Sequence, residues 1–193
     1  PSASKSRLRQ TRSMKIGIYG GSFNPIHFGH IGLAKWVLDN TDLDELWLMV
    51  SPNNPLKDKS ILADEQQRLR EAREAIANSQ SPTAAAPPPI GKRIIVSDFE
   101  FHLPRPTYTA NTLRALAHEH PQHQFTLIIG EDNISIFQQW KEYQYILDNY
   151  RIFVYPRHHC TTYQIPPAKD LQFLKDAPYF DISSTELRKN LHI

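Results

Sequence analysis

The segment Gly20-Gly21-Ser22-Phe23-Asn24-Pro25-Ile26-His27-Phe28-Gly29-His30 gathers the groups best suited to phosphate chemistry in this chain. Its glycines let the backbone come close to a ligand. A helix opening directly behind them offers free amides and the positive end of its dipole, a setting that favours anions. His27 and His30 stand beside that setting and can donate hydrogen bonds to phosphoryl oxygens as charge develops. Two plainer readings compete. One is a glycine turn with two capping histidines. The other is half of a zinc site, completed by His158, His159 and Cys160, although the motif holds no carboxylate. We assign no metal held by the protein itself.

Further candidates lie downstream. Gly130-Glu131-Asp132 follows an apolar run, and a carboxylate at a strand end can accept from both hydroxyls of a ribose. The plainer role for Asp132 is a helix N-cap. Ser183-Ser184-Thr185 opens a closing helix and Arg188 follows one turn on, so hydroxyls, amides and a guanidinium converge as a triphosphate would need. The same residues also read as a capping box, Ser183 with Glu186, beside a solvated arginine. Trp140 could stack on a flat ring or serve as core. Lys57 lies in a proline-rich loop with Lys59 close by, where a lone lysine is usually solvated surface.

These residues need elements to position them. Strand-like and helix-like stretches alternate from Met14 onward. Strands are expected at 15–19, 45–50, 93–97, 124–129 and 151–155, with a weaker apolar stretch at 171–174. Helices are expected at 30–40, 63–78, 109–119, 132–140, 143–149 and 183–191. Strands that are apolar throughout, alternating with helices, predict a parallel sheet covered on both faces. The fold expected is therefore a single three-layer α/β domain with a Rossmann-like sheet, occupying 14–193. Ligands of such sheets bind beyond the carboxyl ends of the strands, which is where the candidates cluster. Residues 79–89, with four prolines and three consecutive alanines, read as a loop.

Composition narrows the function. One cysteine excludes an intrachain disulfide and suits a reducing cytoplasm. No apolar run approaches the roughly 20 residues that span a bilayer. Lys5, Arg7, Arg9 and Arg12 carry +4 of a net charge of +2, so the body is slightly acidic and a phosphate-backbone binder is disfavoured. The basic stretch 1–13 reads as a disordered or added extension, with Met14 as a natural start. Neither the P-loop pattern nor Gly-x-Gly-x-x-Gly follows the first strand, against a P-loop enzyme or a dehydrogenase.

The histidine segment resembles the signature of the His-x-Gly-His nucleotidyltransferases. Within that superfamily the chain is similar to bacterial nicotinate mononucleotide adenylyltransferases. The likeness runs from Met14 almost to the C-terminus. It includes Pro52-Asn53-Asn54-Pro55 with Lys57, Arg105-Pro106-Thr107-Tyr108-Thr109, Ile129-Gly130-Glu131-Asp132-Asn133, Trp140 and Ile182-Ser183-Ser184-Thr185 with Arg188.

The resemblance implies adenylyl transfer from ATP to nicotinate mononucleotide, with pyrophosphate released, in NAD biosynthesis. It implies His27, His30, Lys57 and Arg188 as catalytic residues. Gly20, Gly21, Ser22, Phe23, His27, His30, Gly130, Asp132, Ser184, Thr185 and Arg188 would bind ATP. Ser22, Phe23, Lys57, Thr109, Trp140 and Lys141 would bind the mononucleotide. Mg2+ would arrive with ATP, and the enzyme would be cytoplasmic, without nucleic-acid or membrane partners. Self-association is left open. The rivals are a sister transferase acting on nicotinamide mononucleotide or phosphopantetheine, and a nucleotide-binding regulator without turnover. One departure stands out: relatives often carry Arg-Pro-Gly after the fifth strand, where this chain has Pro156-Arg157-His158-His159, so the register of Arg157 is open.

Overall fold

Six short apolar segments pair into one parallel sheet in the computed structural model, which describes residues 12–52, 64–80, 91–157 and 167–180. The strands are β1 (Lys15–Gly21), β2 (Glu45–Val50), β3 (Arg93–Ser97), β4 (Gln124–Gly130), β5 (Arg151–Tyr155) and β6 (Asp170–Phe173). The weak apolar stretch near 171–174 thus forms an edge strand parallel to β5. Helices α1 (Phe28–Asn40), α2 (Glu65–Gln80), α3 (Thr109–Glu119), α4 (Glu131–Ile134) and α5 (Tyr143–Asn149) connect them. The three layers of the expected α/β fold are present.

Successive side chains of a strand point to opposite faces, and both faces here are apolar. Tyr19 and Leu48 pack with Leu33 and Val37 of α1 and Leu69 and Ile76 of α2. Ile16, Ile18 and Leu127 pack with Leu113 and Leu116 of α3 and Ile146 and Leu147 of α5. Trp47 lies against Phe125 and His120, and its indole donates to Glu45. It serves packing, as its isolation from every motif suggested.

Strand order is β3-β2-β1-β4-β5-β6. The order reverses direction between β1 and β4, which pair from Lys15↔Gln124 to Tyr19↔Ile128. Connections leaving these two strands diverge to opposite faces, and the gap between them is the crevice in which such sheets take ligands. Gly20-Gly21 and Gly130 sit at its edges.

Two of the differences from the expected boundaries have a visible cause. Helix α2 runs to Gln80, so positions 79 and 80 are helical rather than loop. The Gln80 amide exchanges two hydrogen bonds with the backbone of Ile94, at 2.8 and 2.9 Å, which anchors the last turn to β3. The helix expected at 132–140 breaks into α4 and a 3₁₀ turn, Phe137–Gln139. The Ser135 hydroxyl takes the Asp132 carbonyl at 2.7 Å, and the Ile136 amide turns to Asn133 instead, a known way for serine to end a helix. Lys57, His158, His159, Cys160, Ser183, Ser184, Thr185 and Arg188 lie outside the described residues, as do 1–11 and 81–90.

Candidate active site

The histidine pair is organised by the start of α1. His27 occupies the N-cap with an extended backbone, φ −146° and ψ 170°. Its amide donates to His30 Nδ1 at 3.3 Å. A ring nitrogen that accepts cannot carry the proton, so a neutral His30 bears it on Nε2. The two rings lie 3.7 Å apart, centroid to centroid, tilted by 31°. Phe23 packs against the second of them. It sits in the left-handed region at φ 44°, is buried, and meets His30 edge-on at 5.0 Å. At Gly21 a β-carbon would come within 3.0 Å of the Phe23 ring, so the second glycine makes room for this ring.

The opposite side of the crevice is built on Gly130, which caps α4. A β-carbon at Gly130 would collide with Asp132 Oδ1 and crowd Arg157 Cγ. Glycine therefore lets the Asp132 carboxylate sit over the strand end. Asp132 is exposed and accepts from the Asn133 side chain at 3.3 Å. Because Gly130 takes the N-cap position, the plain capping role for Asp132 does not apply.

Arg157 joins the two sides. Its amide donates to Glu131 Oε2 at 3.1 Å, and its guanidinium stands 4.0 Å from Asp132 and 5.4 Å from the Tyr155 ring. Arg157, whose register the sequence left open, thus sets its guanidinium beside Asp132. Its charge also reaches His27. Burial chiefly, and Arg157 secondarily, lower the His27 pKa to about 4. His27 is neutral around pH 7 while no anion is bound.

The rest of the site is an aromatic wall. Tyr108 precedes α3, whose first intrahelical bonds are made by the amides of Asn111 and Thr112. The earlier amide of Thr109 therefore faces outward from the helix start. Lys141 sets its ammonium 4.6 Å above the Tyr108 ring. Trp140 packs one side on Phe137 at 4.9 Å and is half-buried. It also lines a cavity of about 200 Å3, together with Gly20, Gly21, Gly130, Thr109 and Lys141. Core packing and ligand contact are both open to it.

Among the described residues, the buried side-chain nitrogens without a hydrogen-bond partner are His27 Nδ1, Trp140 Nε1 and Arg157 Nε. Such groups are costly in a finished core. Trp140 lines the cavity, and His27 and Arg157 lie close enough for the guanidinium to lower the imidazole pKa.

Sequence reasoning passed over two residues. Glu100 lies at the cavity, buried, accepting from the hydroxyls of Thr112 (2.8 Å) and Ser51, and burial raises its pKa. The signal was a lone acid between Phe99 and Phe101. Arg68 is 1% exposed on α2. Its spacing to Ala72 and Ile76 put it on the inner stripe, but its charge in a helix rich in Glu and Arg suggested a solvated face. A metal cage is not visible: no group of three or more His, Cys, Asp or Glu residues is arranged to hold an ion among the described residues. No helix among them is long and apolar enough to cross a membrane.

The comparisons with known proteins converge. The cytidylyltransferase-like family matches residues 18–190. A Flavobacterium psychrophilum protein described as "Probable nicotinate-nucleotide adenylyltransferase" is 42% identical over 180 residues, covering 92% of this chain and 86% of its own. A Bacteroides fragilis protein with the same description is 42% identical over 179 residues, covering 92% and 82%. In fold, the chain is similar to the Plasmodium falciparum nicotinic acid mononucleotide adenylyltransferase complexed with NaAD, with a TM-score of 0.74, 23% identity, and coverage of 91% and 83%.

Proposed function

The chain belongs to the cytidylyltransferase-like family, and we propose that it acts as a nicotinate-nucleotide adenylyltransferase. It transfers the adenylyl group of ATP to nicotinate mononucleotide, forming nicotinate adenine dinucleotide and pyrophosphate, a step of NAD biosynthesis. The observation that carries this reading is a shared cavity. Gly20, Gly21 and Gly130, suited to a nucleoside triphosphate, and Thr109, Trp140 and Lys141, suited to a flat anionic ring, line the same space.

The mononucleotide phosphate oxygen attacks the α-phosphorus of ATP. A new P–O bond forms as the bond to the β-phosphate breaks, and the electron pair leaves with pyrophosphate. The chain supplies no nucleophile. Its task is alignment and stabilisation of charge on the phosphoryl oxygens. His30 Nε2–H donates to those oxygens, and His27 beside it takes up a proton as the anion arrives. The Gly130 amide and the Asp132 carboxylate hold the adenosine ribose. Arg157 offsets charge between Asp132 and His27. Lys57, Ser184, Thr185 and Arg188 take the remaining phosphates, on the strength of the family likeness alone. Trp140 stacks on the pyridine ring, and the outward amides near Thr109 and Lys141 meet its carboxylate. Ser22 and Phe23 border both substrates.

Magnesium enters as part of the ATP substrate. The nearby acids support this: Glu131 is taken by the Arg157 amide, Asp132 faces Arg157, and Glu100 is buried among hydroxyls. The ion would be held by phosphate oxygens and water. We place the reaction in the cytoplasm.

Pyrophosphate release from ATP with each acceptor tests the assignment. Donor amides aimed at a carboxylate are left facing a donor when nicotinamide binds, so kcat/KM favours nicotinate mononucleotide by at least about tenfold, roughly 1.4 kcal/mol. Equal use of nicotinamide mononucleotide removes the acid-specific pocket and keeps the transferase. Turnover of phosphopantetheine alone replaces the assignment, and no turnover with any acceptor leaves a binding protein.

A further inference from the structure

A charged side chain buried to 1% exposure requires an account in any fold, and Arg68 is one. It stands one turn inside α2, whose start is fixed by Asp64: the Gln67 amide donates to the Asp64 carboxylate at 3.2 Å and the Arg68 amide to its carbonyl at 3.0 Å. From there the guanidinium reaches under the sheet end. It donates to the carbonyl of Ser22, to that of Ser51 at 3.0 Å and to that of Pro52 at 3.1 Å. Ser22 follows β1 and leads to His27. Ser51 and Pro52 follow β2.

These carbonyls belong to two different loops, and the arginine is shared between them. Ser51 is held on two further sides. Its amide donates to Gly21 at 2.9 Å, and its hydroxyl bonds Glu100. A planar guanidinium with five fixed donors can bridge carbonyls at set angles, whereas an ammonium cannot reproduce that fork.

We infer that Arg68 is a positioning residue for adenylyl transfer: its buried guanidinium sets the spacing between the loop that carries the histidine pair and the loop that leaves β2. This rests on the function proposed above. Arg68 donates to loop carbonyls. It acts through the backbone of Ser22, Ser51 and Pro52, so that His27 and His30 meet the reacting phosphates in line.

The test compares wild type with Arg68→Lys, Arg68→Ala and, as a reference, His30→Ala. In Arg68→Lys, kcat per folded molecule falls by about 10²-fold, since misplacement of about 1 Å has that effect. KM for ATP rises by less than kcat falls, because the ribose contacts of Gly130 and Asp132 are untouched. Free guanidinium ion restores Arg68→Ala at least about fivefold and leaves His30→Ala unchanged. Amide exchange in Arg68→Lys quickens by about tenfold both across 21–27 and at the Ser51 amide, with α3 unaffected.

A variant with lowered Tm and unchanged kcat per folded molecule overturns the inference, and so does faster exchange in one loop alone. Where Arg68→Ala does not fold, Arg68→Lys decides. Should wild type release no pyrophosphate with any acceptor, the proposed function falls, and the exchange pattern alone decides whether Arg68 clamps the two loops.

Discussion

Asp132 sets its carboxylate over the α-carbon of Gly130, in the space a β-carbon would fill. The relationship is local, two residues apart, and lies at the end of β4, the strand that pairs with β1. Gly130 has φ −81° and ψ 159°, a conformation open to any residue. Its glycine is therefore a matter of space rather than backbone strain. Gly130→Ala is expected to fold with a Tm lowered by about 2–4 °C, since the exposed Asp132 side chain can swing away while Arg157 Cγ and the buried Tyr155 ring must give slightly. KM for ATP should rise by about tenfold, about 1.4 kcal/mol of lost ribose contact. Steady-state kinetics with a parallel melting curve check this, and an unchanged KM would remove Asp132 from the ATP site.

His30→Ala removes the Nε2–H donor and also the acceptor for the His27 amide. Loss of the acceptor costs stability by about 1 kcal/mol. Loss of the donor should lower kcat by about 10²-fold or more, the usual effect of deleting an oxyanion donor. A folded variant within threefold of wild type would assign His30 to capping alone.

Trp140→Ala separates the two substrates. The indole shares the cavity with Thr109 and Lys141 and packs on Phe137. KM for the mononucleotide should rise by at least about tenfold while KM for ATP stays within about threefold, because stacking serves one ring only. Equal damage to both, with a lowered Tm, would make Trp140 a packing residue.

The depressed pKa of His27 has a thermodynamic sign. Between its ordinary value of 6.5 and about 4 the unfolded chain holds a proton that the folded chain does not. Stability linked to His27 is thus present above pH 6.5 and is lost as pH falls toward 4. Tm should drop over that window, and His27→Asn should flatten the drop. A phosphate placed beside the ring reverses the balance. At pH 6, ATP binding should take up a proton, seen as a binding enthalpy that changes with the ionisation enthalpy of the buffer. No buffer dependence would show that the ATP phosphates do not approach His27.

Much of the fold is written in local patterns. The apolar runs at β2 and β4 and the helical stripe Ala34, Val37, Leu38 report burial directly, because hydrophobic period and burial are the same physical fact. The glycine-histidine segment is equally local: glycine, N-cap and paired histidines lie within one loop and one turn. Helix ends were less legible. The break after Ile134 depends on Ser135 choosing the Asp132 carbonyl, and the extension of α2 to Gln80 depends on the backbone of Ile94. Both are decided by a competing hydrogen bond.

Residue order alone therefore determined the fold class and named the glycine-histidine loop and the other candidates at the strand ends, since all of these depend on neighbours along the chain. Assembly of the site belonged to the tertiary structure. Packing β5 beside β4 and β4 beside β1 brought the Arg157 charge within reach of His27, and neither the place of Arg157 nor its effect on the imidazole could be read from spacing. The inward turn of Arg68 and the burial of Glu100 were equally hidden. A charged side chain reads as solvated until the carbonyls and hydroxyls that replace its water are brought to it from other strands, and only folding does that.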